Sequence, residues 1–407
     1  MRTSRAVAPE HRRDRPSHPR RWAAVVSVAF CSFSLVLSEF LPIGLLSDIS
    51  DGLRVSPGTA GLLVVVPGLT AAIAAPTTTI LAGRADRRVV LCALAALIAA
   101  SDLLAGVSPN LAVMLLARVL LGIGVGGFWV FGTGVAPRLV DATDATRATA
   151  AITSGIALAT VASLPLGSLL GNVASWRVAF VLGAGLALAA LIAQLLLLPP
   201  LPSVSRNSLR SLLGIVRSAA SRTVLIGCVA TFLAQFAAYT YLEPYLGDHV
   251  GFSPTGVTLV LLGFGLAGLV GNCTFTRLID ATPRRAVTAF MTMTAAAIAV
   301  LPWVEASAPA VIALVALWGT FWGALPLGLQ IFMMRTAGTA AEGGQALFVS
   351  TIQVSLAGGS ALGGLVVDGA GIGSAFEVAA ALAVLGAAVV AVRGSRRPVR
   401  EHAGRVC

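Results

Sequence analysis

The stretch PPLPSVSRNSLRSLLGIVRSAASR, residues 199–222, is the longest polar interruption in an otherwise apolar chain of 407 residues. It begins with three prolines among its first four residues and carries four arginines. Six apolar runs of about 20 residues, the length that crosses a bilayer, precede this stretch, and six follow it. The sequence therefore predicts an all-α membrane protein with twelve transmembrane helices in two six-helix halves.

The predicted organisation follows from these runs. We expect a disordered cytoplasmic tail (1–21), an N-terminal half (22–198), a cytoplasmic central loop (199–222), a C-terminal half (223–392) and a second cytoplasmic tail (393–407). The predicted spans are residues 22–46, 59–82, 89–107, 111–135, 148–171, 178–198, 223–246, 257–276, 286–304, 309–334, 345–367 and 374–392.

The orientation is predicted by arginine, which accounts for all 28 basic residues. With a cytoplasmic N-terminus, 25 of the 28 fall in the tails and inward connections, and only Arg54 and Arg177 lie at outward connections. Arg118 is the one that falls inside a span. Because inward loops of membrane proteins are enriched in positive charge, we expect both termini to be cytoplasmic in a bacterial inner (plasma) membrane.

Composition argues against several other classes of protein. Charged residues make up 11% of the chain and the net charge is +11, but the arginines are scattered between apolar spans, so we expect contact with lipid headgroups rather than nucleic acid. The five cysteines stand singly and all four histidines lie outside the spans, so no metal-ligand spacing exists. We expect a monomer without cofactor or metal that uses the proton gradient and is not an enzyme.

The two halves repeat each other at a fixed offset. Ser56-Pro57 precedes the second span and Ser253-Pro254 precedes the eighth, 197 residues later. Arg87-Arg88 and Arg284-Arg285 follow the same two spans at the same offset. Ser-Pro favours a helix start, and two echoes at one offset indicate a duplicated six-helix unit. Transporters built in this way bind substrate near the membrane midplane, between the halves.

Two charged residues in the spans are candidates for function, because charge inside a membrane is costly. Glu39 and Arg118 lie at matched depths, each roughly 7 Å outward from the middle of its span at 1.5 Å per residue. We expect them to pair, with Glu39 exchanging a proton; the alternatives are a static ion pair and separate packing residues. Asp102 and Glu243 lie near outer helix ends, where a carboxylate can reach water.

Mostly neutral residues complete the predicted substrate cavity. Several tryptophans and glutamines fall within spans, and a polar cluster around Glu243 lies at the outer mouth. Apolar sites with a few polar groups suit amphiphilic organic ligands, although packing against a neighbouring helix explains such residues nearly as well. The candidates are Trp129, Gln235, Tyr239, Tyr241, Glu243, Trp318, Trp322, Gln330 and Gln353.

Four stretches of the chain resemble motifs of a known family. They are SEFLPIGLL (38–46), GRADRR (83–88), RVLLGIG (118–124) and SLPLG (163–167), the last with Gly155 before it and Trp176-Arg177 after it. They resemble the first-span, cytoplasmic-loop, fourth-span and exporter motifs of the drug/proton antiporter group of the major facilitator superfamily. That group also holds bacterial sugar-efflux, purine-nucleoside-efflux and chloramphenicol-export proteins.

The resemblance covers about residues 22–392 and implies roles for particular residues. It implies a gating loop at Gly83, Asp86 and Arg87, an exporter motif at Gly155, Pro165 and Gly167, and an association of Arg118 with proton coupling. Two departures stand out. The loop motif is one residue short between Gly83 and Asp86, and Ser163 stands where exporters often have glycine.

The expected function is a proton-coupled secondary active exporter of a small organic molecule, either a drug or a secondary metabolite. The alternatives are a sugar or purine-nucleoside exporter of the same superfamily, and an importer or uniporter with the same fold. The motif around Pro165 argues against import. A membrane enzyme is disfavoured, since the spans contain no histidine and no single span holds a pair of carboxylates.

Overall fold

Twelve helices long and apolar enough to cross a membrane account for most of the described chain. The computed structural model describes residues 18–82, 85–132, 134–202, 219–337 and 341–394. Within these ranges the secondary structure is helical, which confirms the predicted class. The long helices are α1 (His18–Phe40), α2 (Leu62–Leu81), α3 (Arg87–Gly106), α4 (Leu111–Phe131), α5 (Ala145–Val173), α6 (Trp176–Leu197), α7 (Ala219–Tyr239), α8 (Pro254–Ala281), α9 (Pro283–Val300), α10 (Ala308–Ala337), α11 (Ala341–Ala370) and α12 (Ile372–Gly394).

The helices of each half pack in the same pattern. In the N-terminal half, α1 contacts α5 and α6, α2 contacts α4, and α3 contacts α4 and α6. In the C-terminal half, α7 contacts α11 and α12, α8 contacts α10, and α9 contacts α10 and α12. Each pair recurs when six is added to both helix numbers. This repetition supports the duplicated six-helix unit that the sequence echoes predicted.

The Ser-Pro echoes begin helices by the same local chemistry. The Ser56 side chain accepts a hydrogen bond from the Thr59 amide at the start of a short helix, Pro57–Ala60, that leads into α2. The Ser253 side chain accepts one from the Gly256 amide at the start of α8. At the start of a helix, a serine side chain accepts a hydrogen bond from an amide that has no partner within the helix. The first turn of a helix also accommodates proline.

Some helix boundaries differ from the predicted spans. Helix α1 begins at His18, inside the predicted tail, and α7 begins at Ala219, inside the predicted central loop. Beyond Phe40, α1 passes into a 3₁₀ turn (Leu41–Leu45) and a short helix (Leu46–Leu53). Pro42 explains the change, because it supplies no amide hydrogen to the turn before it.

The halves meet along two helix pairs, α2 with α11 and α5 with α8. We call the end of the molecule that carries the α1–α2 connection the outer side, following the sequence prediction. At this end the Ser56 hydroxyl donates to Asp368 (2.6 Å). Ser168 and Thr258 share a hydroxyl hydrogen bond of 2.7 Å there. These bonds hold the outer ends of the two halves together.

Candidate functional site

Arg118 is the centre of a buried polar site in the N-terminal half. Its side chain, on α4, is fully buried. Nε donates to the Leu63 carbonyl at 2.8 Å, Nη1 to the Ser38 carbonyl at 2.8 Å, and Nη2 to the Glu39 carbonyl at 3.0 Å. One guanidinium therefore ties α4 to the end of α1 and the start of α2.

Two prolines explain why these carbonyls are free to accept. In an α-helix, the carbonyl of one residue accepts from the amide four residues later. Those partners of Ser38 and Leu63 are Pro42 and Pro67, which have no amide hydrogen. In the 3₁₀ pattern, the missing partner of Glu39 is again Pro42. Arg118 thus supplies donors that proline removes from two helices.

The Glu39 and Arg118 side chains form no direct ion pair, although they interact electrostatically. The guanidinium is bound to main-chain carbonyls, and no ion pair joins it to the Glu39 carboxylate within the described chain. The Glu39 side chain is buried and accepts from Gln353 Nε2 on α11 at 3.3 Å. The carboxyl group that could exchange a proton therefore lies between the two halves.

Asp102 also differs from its sequence expectation. Its position near the outer end of α3 predicted contact with water, but the side chain is fully buried. The Ser38 hydroxyl donates to Asp102 Oδ2, and a Cβ added at Gly183 of α6 would lie 2.8 Å from the same oxygen. Helices α1 and α6 cover this carboxyl, so the same half holds a second buried acid.

Aromatic rings gather on the C-terminal side of Glu39. Phe40, the next residue along α1, stacks on Phe236 of α7 with ring centroids 5.9 Å apart. Phe236 in turn meets Trp322 edge-to-face at 6.3 Å and Tyr239 at 5.8 Å. Offset and edge-to-face arrangements are favourable for aromatic pairs. Glu39 and Phe40 thus bring a carboxyl and an aromatic face to the same interface between the halves.

Only some of the predicted lining residues share this region. Trp318 donates from Nε1 to Gln235 Oε1 at 2.7 Å, and its ring meets Tyr239 at 6.2 Å. Gln235 Nε2 and Gln353 Oε1 are buried without a hydrogen-bond partner in the part of the chain described. A ligand could form hydrogen bonds with these two side-chain atoms.

The other predicted lining residues lie elsewhere. Tyr241 donates to the Ser360 carbonyl at 2.8 Å, beside Gly61 at the outer side. Glu243 accepts from Ser47, also at the outer side, at 3.0 Å from the amide and 2.9 Å from the hydroxyl. Trp129 packs against the core of the N-terminal half. Gln330 is half-buried on α10.

The cytoplasmic-loop motif forms a small network. The Asp86 side chain caps α3 by accepting from the Arg88 amide at 2.8 Å, and it also accepts from the Leu201 amide at 2.8 Å. The Arg87 guanidinium lies 4.4 Å from the centre of the Phe131 ring at the end of α4. The motif therefore joins α3 to α4 and to the segment after α6. Gly83 lies outside the described residues.

The exporter motif sets a close approach between α5 and α1. A Cβ at Gly155 would overlap the Ala29 carbonyl oxygen, and one at Gly167 would lie 2.8 Å from the Leu41 carbonyl oxygen. Small residues of this kind let membrane helices pack closely. Pro165 lies inside α5 between these two contacts.

Sequence reasoning missed three members of the site: Ser38, Phe40 and Phe236. A signal for Ser38 existed, because Pro42 and Pro67 each leave a carbonyl free four residues earlier. An arginine at similar depth in a neighbouring span is a natural donor to such carbonyls. The aromatic pair had no comparable signal, because a stripe of phenylalanines fits lipid contact and helix packing equally well.

Comparison with known proteins agrees with this architecture. The family model of the Major Facilitator Superfamily matches residues 28–345 and 224–405. The crystal structure of the human organic anion transporter MFSD10 (TETRAN) superposes with a TM-score of 0.66. That match covers 92% of this chain and 100% of that chain at 18% identity, which shows a common fold. The chain belongs to the Major Facilitator Superfamily, and it is a multi-pass membrane transporter.

Two groups of relatives are similar over nearly the whole chain. A protein of Pseudomonas aeruginosa strain PAO1 named transcription regulatory protein OpdE is 36% identical, covering 92% of this chain and 94% of its own length. The purine ribonucleoside efflux pump NepI of Salmonella paratyphi B is 31% identical, covering 95% of this chain and 97% of its own.

Proposed function

We propose that this chain exports a small organic molecule from the cytoplasm in exchange for protons, by alternating access. The observation that carries the proposal is the Glu39 carboxyl, which is buried between the halves and bound to Gln353 of the opposite half. A proton gained or lost there changes a bond between the halves. Protonation can in this way bias which side of the transporter is open.

The aromatic rings beside Glu39 supply a place for substrate. Phe40, the residue that follows Glu39, contacts Phe236 of the other half. A ligand that enters between these rings disturbs the same short stretch of α1 that carries the carboxyl. Substrate binding and proton binding then both depend on the conformation of α1, so the two compete. An exchange mechanism requires such competition.

Contacts at the outer side support access to this site from the cytoplasm. Ser47, Ser56 and Ser168 of the N-terminal half each bond to a residue of the C-terminal half at the outer side. With that side held together, the site is placed to receive substrate from the cytoplasm. This arrangement suits the loading step of an exporter in the bacterial inner membrane.

The orientation can be tested separately. The proposal has both termini and the central loop in the cytoplasm, as the arginine distribution predicts. A single cysteine at Ser205→Cys should then resist an impermeant thiol reagent in intact cells and react in permeabilised cells. Labelling in intact cells would reverse the proposed direction of transport.

The residues of the site and the relatives favour two classes of substrate. A planar neutral molecule can stack on Phe236 and Trp322 and hydrogen-bond to the free amide atoms of Gln235 and Gln353. A purine ribonucleoside has these features, and an efflux pump of purine ribonucleosides is 31% identical to this chain. Planar aromatic drugs share the flat ring, so both classes belong in the assay.

Everted membrane vesicles provide the test. Vesicles from cells that express the chain should accumulate a tritiated purine ribonucleoside when respiration acidifies the interior, and a protonophore should abolish the accumulation. Glu39→Gln should lose proton-driven accumulation but keep substrate counterflow, because an amide cannot exchange a proton. The matched control is Asp51→Asn, at an exposed residue of the outer side.

Three results would contradict the proposal or part of it. Accumulation that persists in the protonophore would exclude proton coupling. Accumulation by right-side-out vesicles under an inwardly directed proton gradient would identify an importer. If neither nucleosides nor planar drugs accumulate, the proposed substrate class is wrong.

A further inference from the structure

Two buried carboxyl groups flank one guanidinium in the N-terminal half, and the proposed function uses only one of them. Glu39 faces α11 of the opposite half, whereas Asp102 faces inward to α1 and α6. Arg118 interacts electrostatically with both acids. All three side chains are buried.

The charges of this cluster cannot balance when both acids are ionised. Arginine keeps its charge under all ordinary conditions. One guanidinium with two carboxylates leaves one negative charge uncompensated in a buried site, which is costly. A single proton on either acid makes the cluster neutral, and two acids that compete for one charge partner titrate as a coupled pair.

The surroundings of Asp102 suit a carboxyl that changes its protonation state. A hydroxyl is both donor and acceptor, so the Ser38 side chain can donate to the ionised acid and accept from the protonated acid. The other oxygen, Oδ1, is buried without a hydrogen-bond partner in the described part of the chain. A purely structural aspartate would be expected to have both oxygens satisfied.

We propose that Asp102 is a second proton-binding residue, which shares the charge of Arg118 with Glu39 while bonded to Ser38. Protonation of Asp102 places a hydrogen on one carboxyl oxygen and leaves Arg118 to balance an ionised Glu39. Loss of that proton reverses the balance and favours protonated Glu39. The charged group next to Asp102 is Arg118 on α4, which also interacts with Glu39 of α1; α1 presents the Ser38 hydroxyl to Asp102, and α6 presents Gly183 there. The inference rests on the proposed proton coupling for its role in transport, but not for its test.

The test measures proton binding directly on the purified full-length chain in detergent, without substrate. Infrared difference spectra across a pH titration report protonated carboxyl groups through their carbonyl stretch. Glu39→Gln should retain a titrating band that Glu39→Gln/Asp102→Asn lacks. That band should move by about one pH unit toward acid relative to the wild type, because Arg118 then stabilises a single carboxylate. Asp51→Asn serves as the matched control and should leave the band unchanged.

Identical titrations of Glu39→Gln and of the double variant would overturn the proposal. Should Asp102→Asn fail to fold, Ser38→Ala keeps both acids and removes only the hydroxyl. Its Asp102 band should shift relative to the wild type, and an unshifted band would equally overturn the proposal. Vesicle transport without proton dependence would refute the proposed coupling while leaving this titration valid, so the two failures are distinguishable.

Discussion

The two halves link equivalent helices with different chemistry. In the N-terminal half, Arg118 joins α4 to α1 through charged hydrogen bonds to the carbonyls of Ser38 and Glu39. In the C-terminal half, Trp318 joins α10 to α7 through a neutral bond to Gln235 at 2.7 Å. The duplicated scaffold is retained, but one copy buries charge and the other buries aromatic rings. This difference supports, within the proposed function, a division in which the N-terminal half handles protons and the C-terminal half recognises substrate.

The largest expected effect comes from removing the charged link. Arg118→Met leaves two buried acids without a cation and removes the donors to three carbonyls, and breaking a buried charge cluster typically costs about 3–5 kcal/mol. We expect a loss of that size in the free energy of unfolding, measured by denaturation in detergent. Arg147→Met is the control, since the Arg147 side chain is 81% exposed. Equal losses in the two variants would remove the special role of the charged link.

Removing the neutral link should cost less and should leave proton coupling intact. Trp318→Phe keeps a ring but deletes the indole N–H, so Gln235 Oε1 loses its donor. An unsatisfied buried acceptor costs about 1–3 kcal/mol, again measured by denaturation. The control is Trp303→Phe, at a residue that is 80% exposed. The division between the halves fails if Trp318→Phe changes the pH dependence of transport as strongly as Glu39→Gln does.

The sequence predicted the scaffold and the charged residues but not how those residues are connected. The span count follows from hydropathy and the expected orientation from the arginine distribution, and both are properties of the chain itself. Glu39 and Arg118 form no direct ion pair because prolines in two helices leave carbonyls free that accept from the guanidinium instead. The burial of Asp102 was not predicted, because its depth along α3 does not indicate that α6 covers the side chain at Gly183. Which aromatic rings meet depends on helix rotation, which no span boundary defines.

A smaller effect is expected at Pro67, whose missing amide hydrogen leaves the Leu63 carbonyl free to accept from Arg118. Pro67→Ala supplies an amide that can bond to the Leu63 carbonyl and so compete with Arg118 Nε. The new bond replaces the lost one, so stability should change by no more than about 1 kcal/mol. The proton response of efflux should nevertheless weaken, because the guanidinium is less firmly held. Pro326→Ala, inside α10 of the C-terminal half, is the matched control and should leave the proton response unchanged. Equal proton responses in the two variants would show that Pro67 has no special part.

The smallest effect on proton-driven transport concerns Glu243, a C-terminal-half carboxyl that contacts the N-terminal half beyond the end of α7. The pKa of Glu243 is raised to about 7 overall: burial raises it most, the hydrogen bonds from Ser47 lower it, and the nearby charges of Asp248 and Asp48 raise it. When the outer side opens, water reaches the carboxyl and its pKa returns toward the ordinary value of 4.5. Between these two values the closed state binds more protons than the open state. Closure is therefore favoured at acidic pH and is lost as pH rises toward 7.

This linkage can be measured as a change in the population of the closed state. Distances between labels at Val173→Cys and Trp303→Cys, in a chain whose other cysteines are replaced, should report more open molecules at pH 8 than at pH 5. A single proton changes the equilibrium by at most about tenfold per pH unit. Glu243→Gln should flatten this response without altering the proton dependence assigned to Glu39, because Glu243 lies at the outer contact and not beside Arg118. An unchanged pH response in Glu243→Gln would mean that the N-terminal half alone senses protons, and the division between the halves would then be complete.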